Sequence, residues 1–226
     1  MTPDEGADRT REGALEEFAA QVAHDFNNLL TGVMGNLELL QLRAARTGAF
    51  GLDAYIEGAN TSSTRAVEFA QRLLVYSGRM AQAPEAVLVT ALLREIAATP
   101  EGQGLELSLP EDTLEVLADP AELRLAILEL LRNAREAMQE GGSFPMLGAK
   151  AEGGWVTIIV RDDGPGMTPE VQVQALKLLF STRPNGAGRG LGLAIAARVA
   201  ASVGGRLELD SAPGEGCEAR LYLPMA

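Results

Sequence analysis

The chain has 226 residues, 46% of them hydrophobic, and its 19 basic and 31 acidic residues leave a formal net charge of −12. This charge argues against a nucleic-acid ligand and against an anionic membrane surface, because both require clustered lysine and arginine. The single cysteine, Cys217, excludes an intramolecular disulfide, and with one histidine it excludes the usual zinc clusters. Since the N-terminus is acidic and no apolar run is long enough to span a bilayer, we expect a cytoplasmic protein without a membrane span.

Residues 1–80 are predicted to form a helical hairpin. Apolar residues recur at steps of three and four from Leu15 to Leu40 and again from Ile56 to Tyr76, which is the periodicity of amphipathic helices. A short glycine-containing turn separates the two runs, as in an antiparallel hairpin. One hairpin cannot bury a wide apolar stripe, so we expect two copies to form a dimeric four-helix bundle. Packing of the hairpin on the rest of its own chain is the alternative.

Residues 81–86 are predicted to be a linker, and residues 87–226 an α+β domain. Short β-branched runs and helical runs mix there without strict βαβ repetition, which favours helices packed on one face of a sheet. Asp119 is a natural N-cap and Pro120 suits the first turn of the helix that follows. The run WVTIIVRDDG predicts a strand that ends in a turn, and GLGLAIAARVAASVGG predicts a helix.

Two polar residues on that helix after Asp119 call for a reason. Glu129 and Asn133 lie one turn apart on the same face, and asparagine has a low propensity for mid-helix positions. The functional interpretation is that the carboxamide oxygen of Asn133 binds Mg²⁺, which prefers oxygen ligands and is usually shared with phosphates. The alternative is a solvated asparagine.

Glycine-rich segments follow the strand and precede the last helix. In RDDGPGM, the carboxylate of Asp162 could accept a hydrogen bond from an exocyclic amine such as that of adenine, although the same segment could be an ordinary turn. The loop FSTRPNGAGRGLGLA enters a helix N-terminus, whose N–H groups and dipole suit a phosphate chain. Arg183 and Arg189 add positive charge to this loop. The segment APGEG predicts a hairpin turn, with a role in ligand binding as the alternative.

Together, the order and spacing of these segments closely resemble the catalytic ATP-binding domain of sensor histidine kinases. That domain belongs to a superfamily shared with gyrase, a mismatch-repair ATPase and a heat-shock chaperone. The resemblance implies an α/β-sandwich (Bergerat) domain that uses ATP and Mg²⁺. It implies metal binding by Asn133 and Glu129, and cofactor binding by Asn133, Asp162, Gly164, Gly166, Phe180, Arg183, Gly188, Gly190, Leu191 and Gly192.

The stretch HDFNNLL resembles the H box of the dimerisation and phosphotransfer domain in the nitrogen-regulatory branch of that family. His24 and Asn28 share one helix face, with Asp25 beside them. A lone histidine is often a core residue, but this polar cluster and the ATP-binding segments favour a nucleophile. The resemblance implies that His24 is phosphorylated by ATP and that Asp25 orients its ring. It also implies that Asn28 positions water for dephosphorylation of the response regulator, the protein that receives the phosphoryl group.

The implied partners are the receiver domain of a response regulator, a second copy of the chain and a separate sensor protein or domain. Two positions depart from the family pattern, since Glu129 often corresponds to Asn and Arg189 to Thr. Glu129 could be a metal neighbour or a catalytic base that activates water. The competing hypotheses are a non-catalytic histidine phosphotransferase or scaffold, and a superfamily ATPase with an incidental histidine.

Overall fold

The computed structural model describes residues 26, 30–46, 52–78, 82–138, 144–182 and 190–226. The chain divides into two compact units, Met1–Met80 and Ala81–Ala226. No helix within the described residues combines the length and the hydrophobicity that crossing a bilayer requires.

Two helices make up the described part of the first unit. Residues 30–46 belong to α1, and α2 spans Asp53–Tyr76. The buried side of α2 includes Ile56, Ser63, Ala70 and Leu73, at the helical spacing that the sequence predicts. On α1, by contrast, the apolar residues Val33, Leu39, Leu40 and Leu42 are all exposed in the single chain.

The second unit contains a five-stranded and a two-stranded sheet. The larger sheet has the order β2-β4-β5-β7-β6, and its pairs are antiparallel except for the parallel pair β2–β4. The smaller sheet pairs β1 with β3, and β1 begins inside the predicted linker 81–86. The strands are β1 (Glu85–Leu88), β2 (Glu106–Ser108), β3 (Glu115–Ala118), β4 (Met146–Glu152), β5 (Trp155–Asp162), β6 (Arg206–Ser211) and β7 (Cys217–Pro224).

Four α-helices complete this unit, and α3, α4 and α6 contact the larger sheet. Contacts join α3 to β4, α4 to α6 and to β5, and α6 to β6 and β7. The core therefore lies between one face of the sheet and these helices, as predicted for an α+β domain. The helices are α3 (Val89–Ala97), α4 (Pro120–Ala137), α5 (Pro169–Ala175) and α6 (Gly192–Ser202), with a 3₁₀ turn at Pro100–Gly102.

The position of α4 is fixed at its N-terminus by Asp119. Its Oδ1 accepts hydrogen bonds from the backbone N–H groups of Ala121 (2.9 Å) and Glu122 (3.2 Å), and Pro120 occupies the first turn. Its Oδ2 accepts a third from the N–H of Gln82 at 2.6 Å. Burial opposes ionisation, but the three donors outweigh it and lower the pKa of Asp119. The predicted N-cap is confirmed.

Candidate active site

A cavity of about 320 Å³ opens between α4, the N-terminus of α6 and the carboxyl end of β5. A cavity of this volume is in the size range of small-molecule sites. It brings together predicted site residues that are far apart in the sequence. The described residues that line it are Leu130, Asn133, Ala134, Glu136, Ala137, Val160, Asp162, Pro165, Gly166, Met167, Val171, Ala175, Phe180, Ser181, Thr182, Gly190, Gly192, Leu193, Cys217 and Ala219.

Asp162 is the last residue of β5 and points a buried carboxylate at this cavity. It is 7% exposed, and its Oδ1 accepts a hydrogen bond from the N–H of Gly164 at 2.9 Å. Gly164 must be small, because a Cβ there would lie 2.8 Å from Asp162 Oδ1 and 2.9 Å from the Cβ of Ala137. The turn after β5 therefore packs tightly on α4 and holds the carboxylate in one orientation.

Cys217 lies directly across from Asp162 in the β5–β7 pairing and also lines the cavity. Burial, and secondly the Asp162 carboxylate, raise the pKa of the Cys217 thiol to about 12. The thiol is therefore protonated at neutral pH and gives this side of the cavity a small, weakly polar wall.

The loop after Asp162 is attached to the turn between β6 and β7. Met167 N–H donates to Ser211 Oγ at 2.9 Å, and that hydroxyl donates to the carbonyl of Gly216 at 2.6 Å. Gly166 has a φ of +67°, and a Cβ there would overlap the carbonyl of Ala212. The APGEG segment thus supports the loop that carries Gly166, as well as forming the predicted hairpin turn.

Glu129 and Asn133 meet the N-terminus of α6. A Cβ on Gly192 would lie 2.7 Å from Asn133 Nδ2 and 2.9 Å from Glu129 Oε2, so glycine is what lets the two side chains sit there. Glu129 is only 2% exposed and accepts a hydrogen bond from Arg132 Nη2. A carboxylate oxygen and a carboxamide oxygen beside a helix N-terminus are suitable ligands for Mg²⁺.

These residues fit a metal that is shared with a ligand. Within the described residues, no group of three or more His, Cys, Asp or Glu side chains is placed to hold a metal ion. Mg²⁺ keeps several waters and binds through one or two protein groups together with substrate phosphates, which matches this arrangement.

The segment that ends at Phe180 meets the start of α6 through the backbone. Leu179 N–H donates to the carbonyl of Gly190 at 2.9 Å, and Gly190 has a φ of +64°. Phe180 and Gly190 both line the cavity. The Leu191 side chain is fully buried, so only its backbone could face a ligand.

Some predicted site residues lie outside the described residues. They are His24, Asp25 and Asn28 of the first unit, and Arg183 and Gly188 of the glycine-rich loop.

Five polar or sulfur-containing residues of the cavity were not among the predicted site residues: Glu136, Met167, Ser181, Thr182 and Cys217. The first four lie beside predicted site residues in the sequence: Glu136 follows Asn133 by one turn, Met167 follows Gly166, and Ser181 and Thr182 follow Phe180. Prediction of Cys217 as a lining residue would have required knowing that β7 pairs with β5, which no local sequence pattern gives.

Residues 118–226 match the family model described as histidine kinase-, DNA gyrase B-, and HSP90-like ATPase. This match covers α4, β4–β7 and the whole cavity described above. The part of the second unit that forms the cavity is therefore similar in sequence to ATPases of this type.

Similarity to sensor kinases extends over most of the chain. Sensor kinase CckA of Brucella abortus (strain 2308) is 30% identical over 230 residues, which cover 93% of this chain and 24% of the relative. The C4-dicarboxylate transport sensor protein DctB of Pseudomonas aeruginosa is 27% identical over 218 residues, covering 93% of this chain and 36% of DctB. The chain thus spans roughly a quarter to a third of these relatives.

A solved structure shows the same relationship. The crystal structure of full-length ShkA in complex with AMPPNP matches with a TM-score of 0.72 and 28% identity, over 93% of this chain and 46% of that chain. A match over 93% of the chain must include part of Met1–Met80 as well as part of Ala81–Ala226.

Proposed function

We propose that this chain is the catalytic region of a two-component histidine kinase. It binds ATP with Mg²⁺, transfers the γ-phosphoryl group to His24 and passes that group to an aspartate of a response-regulator receiver domain. The observation that carries the proposal is the cavity that joins Asp162, Asn133 and Gly192. Relatives named as sensor kinases over 93% of the chain support it.

The nucleotide lies with its base at Asp162 and its phosphates at the start of α6. The fixed carboxylate of Asp162 accepts a hydrogen bond from the exocyclic amine of adenine. The backbone N–H groups at Gly190, Leu191 and Gly192 and the dipole of α6 attract the phosphates. By resemblance, Phe180 borders the nucleotide, and Arg183 and Gly188 belong to the phosphate-binding loop.

Asn133 and Glu129 would hold the metal. When bound, Mg²⁺ supplies positive charge that neutralises the phosphates in the loose transition state of phosphoryl transfer. Its protein ligands would be the carboxamide oxygen of Asn133 and the buried carboxylate of Glu129.

His24 is the nucleophile. Its neutral ring nitrogen attacks the γ-phosphorus, an N–P bond forms as the bond to the bridging oxygen of ADP breaks, and ADP leaves with that electron pair. Asp25 accepts a hydrogen bond from the other ring nitrogen and offsets the developing positive charge. In the opposing phosphatase activity, Asn28 positions the water molecule that hydrolyses the phosphorylated regulator.

The first unit acts as a dimerisation and phosphotransfer domain, with the catalytic domain at residues 87–226 after a linker. The exposed Val33 (47%) and Leu40 (46%) on α1 support a homodimer, because a four-helix bundle would cover them. The input signal comes from a sensor protein or domain, and the protein acts in the cytoplasm.

Slow ATP hydrolysis is a second candidate activity. Glu129 is a buried carboxylate next to Asn133, where a base could activate water against the γ-phosphate. This activity needs no histidine, so it can be measured separately.

Labelling with γ-³²P-ATP and Mg²⁺ tests the kinase proposal. We expect a label on the protein that is stable to base and labile to acid, as phosphohistidine is. His24 is the only histidine, so His24→Gln must abolish the label while nucleotide binding and any release of phosphate continue. A label of the same stability on His24→Gln would refute the assignment, and absence of ATP binding by the unchanged protein would refute the whole proposal.

A further inference from the structure

Arg132 forms an ion pair with Glu129 at the edge of the nucleotide cavity. Its Nη2 donates to Glu129 Oε2, and its Nε lies 3.6 Å from Glu136 Oε1. The Arg132 side chain is 25% exposed, whereas that of Glu129 is 3% exposed. The pair is therefore largely shielded from solvent, and its charges are screened less than those of a surface pair.

Glu129 is a carboxylate placed where phosphates are expected. Its Oε2 and the carboxamide of Asn133 flank the small space left by Gly192 at the N-terminus of α6. A carboxylate at that place repels a phosphate chain and attracts its metal, and the balance depends on how much of its charge is compensated. Arg132 supplies a compensating positive charge, because its Nη2 donates to Glu129 Oε2, the carboxylate oxygen that lies near Gly192.

Arg132 is placed to act through Glu129 rather than on the ligand. Among the described lining residues, Asn133 follows Arg132 in the chain and Glu136 lies one helical turn beyond it, whereas Arg132 and Glu129 are not among them. Glu129 is nevertheless the nearer of these two to the site, because its Oε2 would lie 2.9 Å from a Cβ on Gly192, which lines the cavity. The guanidinium of Arg132 also lies between two carboxylates: Nη2 donates to Glu129, and Nε forms a longer ion pair with Glu136 at 3.6 Å.

We propose that Arg132 is a positioning residue of the nucleotide site: it holds Glu129 and sets the orientation and effective charge of this carboxylate toward the phosphates and their metal. The inference rests on the proposed function, since it concerns the phosphate end of the same cavity. A pair with a purely structural role would affect the folding of the domain and would not distinguish between parts of a ligand.

A double-mutant cycle tests the proposal in the full chain. The variants are Arg132→Gln, Glu129→Gln and both together, and the ligands are MgATP, measured by calorimetry, and adenosine, measured by NMR titration. We expect Arg132→Gln to weaken MgATP binding about tenfold, because an uncompensated buried carboxylate then faces the phosphates. Adenosine has no phosphates, so its affinity stays unchanged. In the Glu129→Gln background, the effect of Arg132→Gln disappears.

Arg135→Gln is the matched control. Arg135 lies on the same helix and is also half-buried, but its Nη2 donates to the carbonyl of Gln103 at 2.8 Å, away from Glu129. We expect both affinities to remain at the wild-type value.

Two results would overturn the inference. Equal weakening of MgATP and adenosine binding would show a structural role, and full weakening in the Glu129→Gln background would show that Arg132 acts on the phosphates directly. If Arg132→Gln fails to fold, the comparison of Glu129→Gln with the neutral double variant carries the test, since equal MgATP affinities are then required. Failure of the unchanged protein to bind MgATP would refute the proposed function instead.

Discussion

Replacement of Asp162 by Asn removes a single charge from the base end of the cavity. Asp162 Oδ1 accepts the N–H of Gly164 at 2.9 Å, and an Asn side chain can keep this bond with its carbonyl oxygen. Its NH₂ group then occupies the position of Oδ2. The exocyclic amine of adenine, which is also a donor, would meet a donor there instead of an acceptor.

The size of the effect follows from the bond that is lost. A hydrogen bond to a charged group contributes about 1.5–3 kcal/mol, and an unsatisfied buried donor costs a similar amount. We therefore expect the affinity for ATP to fall by roughly 10- to 150-fold. The turn after β5 stays in place because the Gly164 bond is retained, so the free energy of unfolding should change little.

Calorimetric titration with ATP and with inosine triphosphate measures this effect. Inosine has a 6-oxo group, which accepts a hydrogen bond from the new NH₂ group, so Asp162→Asn should shift the preference from ATP toward inosine triphosphate. Asp163→Asn is the matched control, since Asp163 is the next residue but is exposed. Unchanged ATP affinity in folded Asp162→Asn protein, or the same loss in Asp163→Asn, would refute the placement of the base.

Three further changes test other parts of the second unit. Gly192→Ala places a Cβ 2.7 Å from Asn133 Nδ2, which is the end of a side chain that can move. Calorimetry should therefore show about tenfold weaker MgATP binding, whereas the free energy of unfolding in urea should change by less than about 1 kcal/mol. Unchanged MgATP binding would contradict this expectation. Burial raises the pKa of Cys217 to about 12, so its thiol should react with iodoacetamide more slowly in the native than in the urea-unfolded protein. This folded-state pKa lies above the ordinary value of 9.0, so the contribution of the Cys217 thiol to the free energy of unfolding is complete below about pH 9 and is lost as the pH rises toward 12. Cys217→Ala should remove this pH dependence of the free energy of unfolding. Arg198→Gln breaks the 3.1 Å ion pair between Arg198 on α6 and Glu122 on α4, whose side chain is 5% exposed. This change should lower the free energy of unfolding by about 3 kcal/mol. A loss of less than about 1 kcal/mol would show that the pair behaves as a surface pair.

Strong local signals made much of the second unit predictable. The apolar, β-branched run of β5 and the capping pair of Asp119 and Pro120 at α4 both appear in the structure as predicted. The run AVLVT has the β-branched composition of a single strand, but β1 ends at Leu88, and Val89 and Thr90 already belong to α3. There, burial of both residues in a helix outweighs their β-branched preference.

Two elements escaped prediction for different reasons. The strand β4 contains Gly148, Ala149 and Ala151, which have low strand propensity, and it forms because it pairs with β5 along its whole length. The helix α5 has only seven residues, too few for a periodic pattern, although Thr168 and Pro169 give it a cap signal. The first of these depended on tertiary pairing, and the second was readable from the sequence.

The contacts of Gly164 and Gly166 show what the segment RDDGPGM does besides reversing the chain. An ordinary turn after a strand needs at most a positive φ, and Gly166 has one at +67°. Gly164 has no such φ; a side chain there is excluded by Ala137 on α4 and by the Asp162 carboxylate itself. A Cβ at Gly164 would clash with both an adjacent helix and a buried carboxylate, so this glycine is required by the packing of the cavity wall as well as by the turn. The spacing Asp-x-Gly is therefore informative here because its two ends contact each other, which supports placing the base of the nucleotide at Asp162.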